Sequence, residues 1–148
     1  MIELPTADDT REFGRRLATV LRAGDLIVLG GPLGAGKTTL VQGVGEGLQV
    51  SGRIASPTFV IARVHPGPVP LVHVDAYRLA SLEEVDDLDL DVSADEAVTV
   101  VEWGEGVAEQ LADSYLSIAL DRARDSERRT ATVVGHGGDW ATRIAALT

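Results

Sequence analysis

A glycine-rich segment that ends in lysine and threonine constrains this chain more than any other feature. Residues 31–38 read Gly-Pro-Leu-Gly-Ala-Gly-Lys-Thr, which matches the phosphate-loop pattern G-x-x-x-x-G-K-[ST] in full. The short apolar run 25–29 precedes the loop, and a helical pattern over residues 38–48 follows it. A strand, a glycine loop and a helix in this order are typical of a nucleotide-binding α/β fold.

The loop predicts that the chain binds nucleotide phosphates. Its glycines let backbone N–H groups point at one centre, where the N-terminus of the helix adds partial positive charge. We expect Lys37 to reach the β- and γ-phosphates, the Thr38 hydroxyl to ligate Mg²⁺ and Thr39 to contact the α-phosphate. Three further loop positions are expected to contact phosphate: Gly34, Ala35 and Gly36.

Lys37 is the sole lysine in the chain, and the other members of the 13 basic residues are all arginine. Arginine replaces lysine on most surfaces, but not where a compact ammonium must fit beside phosphate. P-loop GTPases read guanine with an Asn-Lys-x-Asp segment, which a chain without a second lysine cannot contain. ATP is therefore the expected nucleotide.

The whole pattern predicts an α/β fold. A chain of 148 residues has the size of one ordinary domain, so we expect a single P-loop NTPase domain over residues 1–148. Capping-box residues 6–9 begin a first helix, and Gly24 is expected to end it. Apolar runs typical of buried strands occur at 25–29, 71–75 and 97–103, and a late hairpin is predicted from 116–120 and 129–134. Helices are expected around a mixed, mainly parallel sheet.

Composition excludes several classes of protein. A net charge of −10 argues against a chain whose main task is gripping nucleic acid, since phosphate neutralisation needs Lys and Arg. No apolar run approaches the roughly 18 residues that a membrane span needs, and no secretory signal is visible, so a cytoplasmic location is expected. The absence of cysteine excludes disulfides, thiolate catalysis and Cys-type zinc sites. The acidic stretch 83–96 is either a solvated face or a docking surface for a basic partner.

Two carboxylates follow apolar runs, at positions where strands are expected to end. In open α/β sheets ligands gather at the carboxyl ends of the strands, and a P-loop site needs a carboxylate there for Mg²⁺ and a group that orients water. Glu102 follows the more buried run, so we assign it to the metal, and Asp75 to positioning or deprotonating water. Both could instead be surface acids. His73 faces the same side of its strand as Asp75, and alone it would more often be structural.

Four segments of the chain carry a resemblance to one family. They are residues 31–39, Ser-Pro-Thr-Phe at 56–59, His-Val-Asp-Ala-Tyr-Arg at 73–78 and Val-Glu-Trp at 101–103. Their order and spacing resemble those of the TsaE (YjeE) ATPases of bacterial tRNA threonylcarbamoyladenosine biosynthesis, and the resemblance covers nearly the whole chain. Many families share the phosphate loop. The combination of the third and fourth segments is far more specific.

The resemblance implies an ATPase that works with the TsaB–TsaD complex, which attaches threonylcarbamoyl to the adenosine beside the anticodon. The chain would be a turnover or regulatory subunit, and tRNA would reach it only through the partners, in keeping with its acidic charge. The same resemblance implies that Thr38 and Glu102 take Mg²⁺ and that hydrolysis needs Asp75.

The resemblance also implies roles for residues outside the loop. Ser56 and Thr58 would belong to a switch-like segment, in which Thr58 could sense the γ-phosphate. Ala7 and Arg128 would lie near the nucleotide, although Arg129 is the immediate neighbour of Arg128 and competes with it for this assignment.

Two other functions stay open on the sequence. A small-metabolite kinase uses the same loop, with a lid of arginines over the phosphates, for which Arg122, Arg124, Arg128 and Arg129 are crude candidates. A nucleotide-sensing binding module would barely hydrolyse ATP, and ATP or ADP would set which of its surfaces is ordered.

Overall fold

The chain folds around a seven-stranded β-sheet in which the four central strands are parallel. The computed structural model describes residues 2–31, 36–50, 62–75, 96–102, 114–122 and 128–147. Within them the strands are β1 (Ile2–Leu4), β2 (Leu26–Gly30), β3 (Ala62–His65), β4 (Leu71–Asp75), β5 (Val98–Glu102), β6 (Tyr115–Arg122) and β7 (Arg129–His136). The helices are α1 (Ala7–Ala18), α2 (Lys37–Leu48) and α3 (Trp140–Ala145).

The sheet has the order β1-β7-β6-β2-β5-β4-β3. The pairs β4–β5, β5–β2 and β2–β6 are parallel, while β1–β7, β7–β6 and β4–β3 are antiparallel. The predicted α/β class, the mixed and mainly parallel sheet and the late hairpin are therefore confirmed. All five residues of the central strand β2 are buried, which explains its continuous apolar sequence.

Helix α1 begins as its sequence predicts and ends earlier. The Thr6 hydroxyl accepts a hydrogen bond from the Asp9 backbone N–H at 3.2 Å, and the Asp9 carboxylate accepts one from the Thr6 N–H at 3.0 Å, so the capping box is confirmed. The prediction that Gly24 ends this helix was wrong. After Ala18 the backbone bonds change to an i→i−3 pattern, and in the turn that follows the Asp25 carboxylate accepts the Arg22 N–H at 2.7 Å.

Helices α1 and α2 pack with their backbones in contact. A Cβ atom added at Gly43 would lie 2.1 Å from the Arg11 carbonyl oxygen, and one added at Gly14 would lie 2.4 Å from the Leu40 carbonyl oxygen. Both positions are buried, and Leu17, Leu40 and Val44 fill the core beside them. The glycines of α2 lower its intrinsic helix propensity, and the helix nevertheless runs to Leu48 because close packing stabilises it.

Helix α3 is anchored at the end of the sheet opposite to the phosphate loop. The Arg143 guanidinium lies 4.1 Å from the centroid of the Trp140 ring and donates to the Asp25 carboxylate at 2.6 Å. Hydrogen bonds from Arg22 and Arg143 hold the pKa of Asp139 below its usual value. In the described part of the chain, none of the helices has the length and apolar character that crossing a membrane requires.

Candidate nucleotide-binding site

The phosphate loop joins the central strand β2 to the N-terminus of α2. Gly36 is the N-cap residue of α2 and has a φ of 101°, a left-handed conformation that favours glycine. A Cβ atom at Gly36 would also lie 2.9 Å from Nε of Arg129, so the side chain of Arg129 lies directly against this end of the loop. The predicted contacts Gly34 and Ala35 lie outside the described residues.

Lys37 is the first residue of α2, and its side chain reaches back to Gly31, the first residue of the loop. Its side chain is buried, with 6% of the residue exposed, and its Nζ donates a hydrogen bond to the Gly31 carbonyl oxygen at 2.5 Å. Among the described residues no side chain caps the N-terminus of α2, and the first turn of this helix contains no acidic residue. The N–H groups of a helix of 12 residues therefore present their partial positive charge beside a buried ammonium.

Thr38 and Thr39 follow Lys37 in the first turn of α2, and both are half-buried. Neither side chain is packed into the core, which the buried Leu40 and Val41 of the same helix line. This placement agrees with the hydroxyl roles that the loop pattern predicts, which stay predictions.

Asp75 and Glu102 are the last residues of β4 and β5, so the prediction that each ends a strand is confirmed. The parallel pairing sets Asp75 opposite Glu102, and Glu102 opposite Leu29 of β2. Both residues therefore stand at the edge of the sheet where β2 enters the phosphate loop, as expected for ligand-binding strand ends. Of Asp75 only the backbone is described.

The side chain of Glu102 is buried in contact with a buried histidine. His73 is completely buried, and its Nε2 lies 2.5 Å from Oε2 of Glu102, which is 5% exposed. The sequence pattern favoured a structural role for His73 and missed this contact. The pairing of β4 with β5 is the signal that could have revealed this contact. Asp75 pairs with Glu102, so His73, two positions before Asp75, lies diagonally across from Glu102.

The two neighbouring arginines at the start of β7 lie in different surroundings. The Arg128 side chain is 54% exposed, and its Nη1 lies 3.5 Å from a carboxylate oxygen of Glu3. Arg129 pairs with Leu4 of β1 through the backbone, and its side chain reaches Gly36. Among the residues that the structure describes, Arg129 is the one of these two whose side chain lies against the phosphate loop, at Gly36.

The remaining predicted positions are less informative. Ala7 is exposed and forms the first residue of α1, directly after the N-cap Thr6. The switch-like residues Ser56 and Thr58 lie outside the described part of the chain, as does most of the acidic stretch 83–96.

Comparison with known proteins decides the family. Residues 4–130 match the family model described as threonylcarbamoyl adenosine biosynthesis protein TsaE. The chain belongs to the TsaE family. The sequence resemblance on which this membership was expected is thereby confirmed, and the matched range includes the phosphate loop, both strand-end carboxylates and the two arginines.

TsaE proteins from several bacteria are similar to the chain over most of its length. The tRNA threonylcarbamoyladenosine biosynthesis protein TsaE of Streptomyces coelicolor is 61% identical over 140 residues, which cover 89% of this chain and 94% of that protein. The protein of the same name from Bacillus subtilis is 39% identical over 132 residues, covering 87% and 82% of the two chains. The crystal structure of Bacillus subtilis YdiB superposes with a TM-score of 0.80 at 29% identity, covering 99% of this chain and 91% of that one.

The donor atoms of this TsaE-family site fit a magnesium ion that a nucleotide brings with it. Among the described residues, no three His, Cys, Asp or Glu side chains come together as a metal cluster. Mg²⁺ needs no such cluster, because it keeps several waters and is commonly bound by one or two carboxylates together with substrate phosphates. A threonine hydroxyl at the start of α2 and a buried carboxylate at the end of β5 are oxygen ligands of this type.

Proposed function

We propose that the chain is the ATP-binding and ATP-hydrolysing subunit of tRNA threonylcarbamoyladenosine biosynthesis and acts with the TsaB–TsaD complex. One observation carries the ATPase proposal: a buried lysine at the glycine-capped N-terminus of α2, at the sheet edge where β4 and β5 end in carboxylates. Membership of the TsaE family supports the pathway.

Each group of the site has a chemical task in this proposal. Lys37 and the N–H groups of the loop, among them those of Gly34, Ala35 and Gly36, neutralise the phosphates, while Thr39 contacts the α-phosphate. Thr38 and Glu102 would hold Mg²⁺, which would supply positive charge that neutralises the phosphates. Asp75 orients or deprotonates the attacking water, and Ser56 and Thr58 respond to the γ-phosphate as a switch.

The acidic balance of the chain supports an indirect role toward tRNA. With a net charge of −10, the chain is poorly suited to bind the phosphates of tRNA directly. We propose that the partner proteins hold the tRNA and that this chain docks on them in the cytoplasm, where ATP binding and hydrolysis regulate or reset the complex.

ATP hydrolysis measured with and without purified TsaB and TsaD tests this proposal. We expect weak, Mg²⁺-dependent hydrolysis by the chain alone and faster hydrolysis with both partners. Hydrolysis that stays absent under both conditions would contradict the ATPase proposal. If a non-hydrolysable analogue supported the activity of the complex as well as ATP, a nucleotide-sensing module would be the better description. Phosphoryl transfer to a small hydroxyl compound without partners would indicate a kinase.

A matched pair of arginine substitutions tests which neighbour contacts the nucleotide. The contact with Gly36 supports Arg129, whereas the family resemblance suggests Arg128. We expect Arg129→Ala to weaken ADP binding by about 10-fold or more, since a hydrogen bond to a charged group contributes about 1.5–3 kcal/mol. Arg128→Ala removes an exposed side chain, and we expect it to change the affinity for ADP by less than about threefold. Titration with a fluorescent ADP derivative measures the affinity of both variants. A larger loss of affinity in Arg128→Ala than in Arg129→Ala would mean that Arg128 contacts the nucleotide.

A further inference from the structure

Glu102 is a carboxylate that the fold buries, and a buried carboxylate needs hydrogen bonds. Only 5% of the residue is exposed, and its Oε2 lies 2.5 Å from Nε2 of His73. A carboxylate that binds Mg²⁺ is ionised and only accepts hydrogen bonds, so in that state Nε2 carries the proton and His73 is the donor. The imidazole is thus a group that offsets part of the cost of burying this carboxylate.

His73 is well placed to hold that carboxylate still. It lies in the middle of β4, with no exposed surface, and β4 is paired on both sides, with β3 and β5. Val72 and Val74 on either side of it are also buried. The imidazole therefore has a fixed position relative to the sheet, and its bond to Oε2 opposes rotation of the carboxylate about its last single bond.

We infer that His73 is a positioning residue, which orients the Glu102 carboxylate for Mg²⁺ while it does not touch the metal or the nucleotide itself. The inference rests on the proposed role of Glu102 as a magnesium ligand. Mg²⁺ demands near-ideal octahedral geometry, so a ligand oxygen that can turn away binds it poorly. Hydrogen-bond partners behind metal ligands typically account for 10- to 100-fold in metal affinity. His73 also ties the strand that ends in Asp75 to the strand that ends in Glu102.

Two amide substitutions separate positioning from mere packing. In His73→Gln the side-chain amide nitrogen can take the place of Nε2. In His73→Asn the side chain is shorter, so its amide nitrogen takes the place of Nδ1 and does not reach Glu102. The readout is the affinity of Mn²⁺ for the complex of the protein with ADP, followed by the loss of the free Mn²⁺ signal in electron paramagnetic resonance. We expect His73→Asn to weaken Mn²⁺ binding by about 10- to 100-fold and His73→Gln to stay within about threefold of the original protein.

The affinity of ADP in the presence of EDTA is the control, and we expect it to be unchanged in both variants. Equal losses of Mn²⁺ affinity in His73→Asn and His73→Gln, or no loss in either, would overturn the positioning role. Thermal unfolding shows whether each variant keeps its fold. If His73→Asn is unfolded, a loss of Mn²⁺ affinity well above threefold in folded His73→Gln overturns the positioning role.

Glu102→Gln distinguishes failure of this inference from failure of the proposed function. If Glu102→Gln leaves Mn²⁺ affinity unchanged, the proposed metal role of Glu102 is wrong. If Glu102→Gln weakens Mn²⁺ binding and His73→Asn does not, the metal role stands and the inference about His73 is wrong. In the double variant Glu102→Gln/His73→Asn we expect no loss beyond that of Glu102→Gln, because His73 acts through the carboxylate.

Discussion

Lys37→Ala is expected to lower ATP turnover by about 100-fold or more, the effect of removing one preorganised donor to developing transition-state charge. The buried ammonium lies at the N-terminus of α2 beside the loop, 2.5 Å from the Gly31 carbonyl oxygen, and water would replace it poorly. Release of phosphate from ATP in the presence of TsaB and TsaD measures the effect.

Lys37→Arg is the matched control for charge. It keeps a cation but replaces a compact ammonium by a planar guanidinium, which the tight surroundings of Lys37 do not fit. We therefore expect a loss close to that of Lys37→Ala. Thermal unfolding without nucleotide checks that both variants are folded. Turnover of folded Lys37→Ala within about threefold of the original protein would exclude Lys37 from the phosphate site.

Gly43→Ala is expected to destabilise the protein by about 3 kcal/mol, the upper part of the range for overpacking a core. The added Cβ atom would lie 2.1 Å from the Arg11 carbonyl oxygen, so the backbones of α1 and α2 have to separate. Alanine has the higher helix propensity, by about 1 kcal/mol, and packing is expected to outweigh it. For a chain of this size the melting temperature should fall by about 10 °C.

Gln42→Ala is the control for this prediction, since it places alanine at the adjacent position of the same helix. The side chain of Gln42 accepts a hydrogen bond from Arg11 at 3.0 Å and is only partly buried, so its loss should cost about 1 kcal/mol or less. Urea unfolding of both variants gives the two free energies. A Gly43→Ala variant as stable as Gln42→Ala would mean that the two helices do not pack this closely.

Features that depend on neighbouring residues could be predicted from the sequence. The capping box at Thr6 involves residues three positions apart, and the strand ends at Asp75 and Glu102 follow from apolar runs that stop at a carboxylate. The phosphate-loop motif predicts a helix directly after its last glycine, and α2 begins there, at Lys37.

Features that depend on pairing between distant segments could not be predicted. Strand β1 has three residues and is defined only by its bonds to β7. The glycines of α2 predict a weak helix until α1 is packed against them. His73 on β4 contacts Glu102 on the neighbouring strand β5, and Arg129 on β7 contacts Gly36 at the start of α2. Each of these contacts requires the register of the sheet, which the sequence of one strand does not contain.

Formation of threonylcarbamoyladenosine on tRNA tests the proposed function most directly. The reaction contains TsaB, TsaD, tRNA, the threonylcarbamoyl donor and ATP, together with the original chain, the Lys37→Ala variant or neither. We predict repeated rounds of product formation with the original chain and little product with Lys37→Ala or without the chain. Equal product with Lys37→Ala and with the original chain would contradict a role for ATP hydrolysis at this phosphate loop in the modification of tRNA.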